Sequence, residues 1–176
     1  MSEFAVTAIG RDRPGIVAAV TGVLLDLGGN LEDSRMAILR GHFAVMLIVD
    51  LPDRTARERL EDGLGEVRDR LGLEAVSVSE VERIDAAGGD PTHVLTVYGA
   101  DKPGIVHGVA AVLAERGVNV SDLATQVTGA DDPVYVMMLE LALGDVAEDE
   151  LDAALAETAG ELQVDVSLRA LEAEKL

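Results

Sequence analysis

The stretch "GRDRPGIV" at residues 10–17 returns as "GADKPGIV" at residues 99–106, and this recurrence constrains the fold more than any other feature. Laid without gaps on residues 99–122, residues 10–33 agree at 12 of 24 positions. The agreements are Gly10, Asp12, Pro14, Gly15, Ile16, Val17, Val20, Val23, Leu24, Gly28, Asn30 and Asp33, each with its counterpart 89 positions on. Further along, the copies align only if the second carries three extra residues near "GADDP". A period of about 85–90 residues is too long for a solenoid, so it reads as a duplicated folding unit.

Each copy runs through the same series of patterns. "FAVTAIG" and "HVLTVYG" are β-branched, apolar-rich runs of strand type. After the Pro-Gly turn, Ile16, Val17, Val20, Val23, Leu24 and Leu27 recur at helical spacing, and Gly28 stops the helix. Ile105, Val106, Val109, Val112 and Leu113 repeat this, closed by Gly117. Two strand-like runs follow, joined by a tight turn around Gly41 and His42 in the first copy and by the longer "ADDP" in the second. A second helix is marked by Leu60, Leu64, Val67 and Leu71, and by Leu151, Ala154 and Leu155. "LEAVSVSEVER" and "LQVDVSLRAL" supply a last strand.

The order is β-α-β-β-α-β, twice. It predicts an α+β chain of two ferredoxin-like units, each an antiparallel sheet with both helices on one face. We place the units at residues 1–84 and 92–176, with a linker at 85–91 where the sequence turns small and flexible. Apolar residues make up 48% of the chain and aromatics 2%, so the cores must be aliphatic. Units this small bury a modest share of their surface, which favours packing of the halves or a homo-oligomer.

Charge narrows the choice of partners. The net charge is −19, of which −5 falls in residues 1–84 and −14 in residues 85–176. Such a chain repels a polyanion, so direct binding of DNA or RNA is not expected. The bland alternative is that acidity simply maintains solubility. There are no cysteines, which excludes disulfides and thiolate metal sites. No leader pattern and no apolar run long enough to span a bilayer stand out, so the expected location is the cytoplasm, away from membranes.

The repeated turn has its own chemistry. Gly10 and Gly99 let the chain leave its strand unobstructed, and Pro14 and Pro103 suit a first helical position. Gly15 and Gly104 keep the first helical turn bare. The free N–H groups around residues 15–17 and 104–106 then form an anion site at the positive end of the helix dipole. The plain alternative is a well-formed helix start with no ligand. A nucleotide loop is disfavoured, because neither GxxxxGK[ST] nor GxGxxG occurs. Asn30 and Asn119 open the strand after the helix, at the far end of the sheet from the turn of their own unit. They reach such a turn only from a neighbouring unit, where the carboxamide offers both a donor and an acceptor. Their other role is that of a helix-exit residue tolerant of left-handed geometry.

With these residues in view, the whole chain resembles a tandem pair of ACT domains, modules that regulate amino-acid metabolism by binding small molecules. The motif of that family is matched by Asp12, Pro14, Gly15 and Ile16 with Asn30, and by Asp101, Pro103, Gly104 and Ile105 with Asn119. "AIGRDRPGIV" and "NLEDSRMAILRG" are more narrowly similar to the glycine cleavage system transcriptional repressor group. The resemblance implies an amino-acid sensor, for glycine or serine, that lacks a DNA-binding domain and contacts a DNA-bound regulator. The ten motif residues are the implied ligand site, with the ligand in the seam between units paired edge to edge. The alternatives are a ligand-free interaction module and a regulatory subunit of a metabolic enzyme.

Catalysis is not expected. His42, His93 and His107 fall in a turn, a strand start and a helix, without metal-ligand spacing. His107 is near enough to the second turn to touch a ligand, although a surface or packing role is the simpler one. Asp12 and Asp101 suit capping or orienting the turn better than acid–base work. No serine has a nucleophile elbow around it. Neither a metal nor a cofactor is called for.

Overall fold

A computed structural model of the chain describes residues 2–52, 56–82, 89–129 and 133–171. It divides into two units, Met1–Ile84 and Asp85–Leu176. Most of the expected linker at 85–91, and most of the "ADDP" connection, lie outside the described residues.

The first unit runs β1 (Ser2–Arg11), α1 (Ile16–Asp26), β2 (Asn30–Leu39), β3 (His42–Leu51), α2 (Ala56–Leu71) and β4 (Leu73–Val81). The second repeats it as β5 (His93–Ala100), α3 (Ile105–Glu115), β6 (Asn119–Thr128), β7 (Val134–Ala142), α4 (Glu148–Leu162) and β8 (Val164–Ala170). The sheets have the order β2-β3-β1-β4 and β6-β7-β5-β8, and every pairing is antiparallel. This is the duplicated α+β arrangement that the patterns predict.

Alternation along the central strands decides which face meets the helices. In β3 the residues Phe43, Val45, Leu47, Val49 and Leu51 are buried, while those between them are not. In β7, Tyr135, Met137, Leu139 and Leu141 do the same. Against that face α1 lays Ile16, Val20 and Leu24, and α2 lays Leu60, Leu64 and Val67. The second unit uses Ile105, Val109, Leu113, Leu151 and Leu155. Two separate aliphatic cores result, with no buried polar or charged residue among the described ones.

Local chemistry sets the helix ends. Gly28 has φ 66; its N–H bonds to the Leu25 carbonyl, and that of Gly29 bonds to the Leu24 carbonyl. This is the Schellman pattern, in which a left-handed glycine ends the helix without the penalty a Cβ brings. Gly117 and Val118 repeat it onto Ala114 and Leu113.

Two local expectations are corrected. The β2–β3 turn is Arg40-Gly41, with φ of 51 and 81, and His42 already belongs to β3. A type I′ two-residue hairpin needs positive φ at both central positions, and the sequence advertises only the glycine. Pro14 and Pro103 also lie outside their helices, which start at Ile16 and Ile105.

The glycines at the strand ends are sites of close approach. A Cβ on Gly10 would lie 3.0 Å from the Leu73 Cα, and one on Gly99 would lie 2.8 Å from a Val164 methyl. Gly10→Ala and Gly99→Ala are therefore expected to destabilise the protein by about 1–3 kcal/mol through overpacking. Urea unfolding of the two variants measures this; wild-type midpoints would show that the neighbouring strand yields freely. No described helix is long and apolar enough to cross a membrane.

Candidate functional site

The turn before α1 explains what Pro14 and Gly15 do. Gly15 has φ 96 and ψ −8, the third position of a type II turn, whose second position favours proline. Gly104, at φ 99 and ψ −11, follows Pro103 in the same way. Each glycine is the N-cap of its helix, and its carbonyl accepts the first helical hydrogen bond, from Ala19 at 2.9 Å and from Gly108 at 2.8 Å.

The orphan N–H groups are therefore those of residues 16–18 and 105–107, one residue later than the sequence suggests. No side chain caps either helix, so Asp12 and Asp101 do not play the capping role expected of them. Asp12 instead donates its backbone N–H to the Gly41 carbonyl at 2.9 Å, which ties the turn to the β2–β3 hairpin. No acidic residue occupies the first turn of α1 or α3, so the dipole ends stay uncompensated.

In the first unit the turn borders a depression of about 480 Å³, lined by Asp12, Arg13, Pro14, Gly15, Ile16, Val17, Ala18, Met36 and Phe43. Four of the predicted residues thus come together. Ile16 contributes only backbone, because its side chain is buried in the core. Met36 and Phe43 escaped the sequence reading. Their signal is β-register: Phe43 pairs with Ile38 and Met36 with Val45, which puts both on the helix-facing side at the hairpin end.

Asn30 is not brought to this turn. It pairs with Asp50, which pairs with Glu3, while the turn leaves β1 after Arg11 at the other end of the strand. Eight residues of β1 separate the two levels, roughly 26 Å at the ordinary strand rise. The Asn30 amide donates to Glu32 Oε1 at 2.6 Å, across a bulge between Leu31 and Asp33. Asn119 occupies the same place in β6, pairing with Ala142 beside a bulge between Val120 and Asp122.

The second turn shares the backbone but not the surroundings. Lys102 Nζ donates to Gln163 Oε1 at 2.7 Å, binding the turn to the end of α4. Tyr135 stands where the first unit has Phe43. Burial, helped by the charge of Asp101, holds the Tyr135 phenol above its ordinary pKa, so it is a neutral hydroxyl at physiological pH. His107 is exposed in the first turn of α3; His93 is largely buried, 3.4 Å from Glu148 and 2.9 Å from the Thr92 hydroxyl.

Both halves match the ACT-domain family, over residues 2–78 and 93–158. A solved structure of a Galdieria sulphuraria protein of unknown function is 29% identical, with a TM-score of 0.82 over 97% of this chain and 98% of that one. The glycine cleavage system transcriptional repressor of Escherichia coli is 43% identical over 44 residues, 25% of this chain and 23% of that protein. A solved structure provisionally described as such a repressor shares the fold across 97% of each chain, at 21% identity and a TM-score of 0.74. The phosphoserine phosphatase SerB2 of Mycobacterium tuberculosis is 27% identical over 93% of this chain, which spans only 39% of that protein.

Proposed function

This chain belongs to the ACT-domain family, with the module present twice, and from that premise we propose that it is a regulatory protein that senses a small amino acid. The observation that carries the reading is the uncapped helix start. Residues 16–18 present three free N–H groups beside a depression sized for a small ligand, and the second repeat keeps the same backbone. A carboxylate satisfies those donors and complements the dipole.

The ligand's ammonium needs a second set of groups, and Asn30 and Asn119 lie too far along their own sheets to provide it. We take them to arrive from the module of a second chain, in a homodimer paired through strand edges. The β2 edge supports this: it is exposed throughout and carries Leu31, Met36, Ile38 and Leu39, from 40% to 70% exposed. Unpaired edges with apolar side chains are templates for strand addition. The proposed site is thus Asp12, Pro14, Gly15 and Ile16 with Asn30, and Asp101, Pro103, Gly104 and Ile105 with Asn119. Asn30→Ala and Asn119→Ala are expected to weaken ligand binding roughly five- to tenfold, the worth of a hydrogen bond or two. Calorimetry measures this, and two variants that bind like wild type would remove the asparagines from the site.

The ligand is glycine or serine on this reading, and the output passes to a DNA-bound regulator in the cytoplasm. The protein itself is non-catalytic. Ligand shifts the equilibrium only by its differential affinity for the two arrangements of the dimer. A second reading, control of a metabolic enzyme, is favoured by the match across 93% of this chain to part of a phosphoserine phosphatase. Gene control and enzyme control use the same sensor and part company only at the partner. The acidic second half, at −14, suits a basic docking surface in either case.

A further inference from the structure

The two turns share a backbone and differ in what surrounds it. The first is lined by Ala18, Met36 and Phe43. Their counterparts, 89 positions on or 92 after the three-residue insertion, are His107, Thr125 and Tyr135. Register supports the correspondence: Phe43 pairs with Ile38 and Tyr135 with Val127, while Met36 pairs with Val45 and Thr125 with Met137. Three apolar groups around one turn are thus replaced by three hydrogen-bonding groups around the other.

Tyr135 is the telling member. It is 8% exposed and its ring packs in the second core, while its hydroxyl is not among the buried unpaired side-chain atoms of the described residues. A tyrosine whose ring is covered and whose hydroxyl is not presents a hydrogen-bonding tip on an otherwise apolar wall. Tyr135 pairs across the sheet with Gly99, two residues before Asp101, and its phenol feels the Asp101 charge. The hydroxyl therefore ends beside the turn, where Phe43 ends in the first unit.

We infer that the two turns select different amino acids: the first takes an aliphatic side chain, and the second takes one bearing a hydroxyl, with Tyr135 as the residue that sets the difference. This rests on the amino-acid-sensing reading. Tyr135 supplies the partner that a serine-type hydroxyl requires, and Met36 and Phe43 leave such a hydroxyl unsatisfied. A site that hydrogen-bonds a substrate hydroxyl discriminates against the analogue without it, whereas an apolar wall discriminates weakly.

The test titrates the full chain, labelled with ¹⁵N-glycine, with serine and separately with alanine, and follows the Gly15 and Gly104 amides. Serine is expected to move Gly104 at lower concentration than Gly15, and alanine to show the reverse order. Tyr135→Phe, which copies the residue of the other unit and so preserves the core, is expected to weaken serine at Gly104 roughly tenfold while leaving alanine at Gly15 unchanged. Phe43→Tyr should bring serine to Gly15. If both ligands bind but Tyr135→Phe leaves their ratio at Gly104 unaltered, the inference is overturned and the sensor reading stands. If neither amide responds to either ligand, this inference falls, and the sensor reading is left to a wider range of amino acids.

Discussion

Leu64→Ala is expected to lower the free energy of unfolding by about 2–5 kcal/mol, the range for a large-to-small change at a closed core site. Leu64 is fully buried on α2, between Leu60 and Val67. The core around it is nearly all branched aliphatic, with Phe4 and Phe43 its only aromatic members. Among the described residues no polar side chain is buried there to admit water, and close-packed β-branched neighbours relax poorly into a void. Leu25→Ala is the matched control, since Leu25 is 77% exposed on α1 and its loss should cost no more than about 0.5 kcal/mol. Urea midpoints at unchanged m-value measure both. Equal losses would mean that α2 does not pack as described.

Gly15→Val and Gly104→Val carry the second large effect, and it falls on function more than on stability. A Cβ at either glycine meets no atom within 4 Å, so crowding is not the obstacle. The obstacle is φ, at 96 and 99, which a β-branched residue reaches only with strain of about 1–3 kcal/mol. The chain relieves that strain by turning the peptide after Pro14 or Pro103, which redirects the N–H groups at the helix start. Ligand affinity at the altered turn is expected to fall at least tenfold, a loss of about 1.4 kcal/mol. Gly15→Asn, which tolerates left-handed geometry, should retain most of the binding. Calorimetry with the three variants checks the order; equal binding by Gly15→Val and wild type would show that the turn's conformation is irrelevant to the ligand.

The legible part of the fold was whatever a repeat or a period encodes. The 89-residue echo announces two units, and the apolar alternation within "FAVMLIVDL" matches the buried face of β3 that the structure shows. The position of Asn30 was also readable, because strand order alone sends it to the end of the sheet opposite the turn. Less legible were features set by single dihedrals. Pro14 suits a first helical position, but the left-handed Gly15 leaves it outside α1, and nothing in the identity of Arg40 marks its positive φ. Met36, Phe43 and Tyr135 were hidden for another reason. Their nearness to the turns depends on hairpin register across a connection whose length differs between the copies.

The most direct measurement is a calorimetric titration of the full-length chain with each of the common amino acids, run beside the Asn30→Ala and Asn119→Ala variants. At least one small amino acid should bind wild type, raise its Tm in proportion to its occupancy, and bind more weakly to at least one of the variants. A well-folded protein that takes up none of them would contradict amino-acid sensing and leave the duplicated module as a docking surface alone.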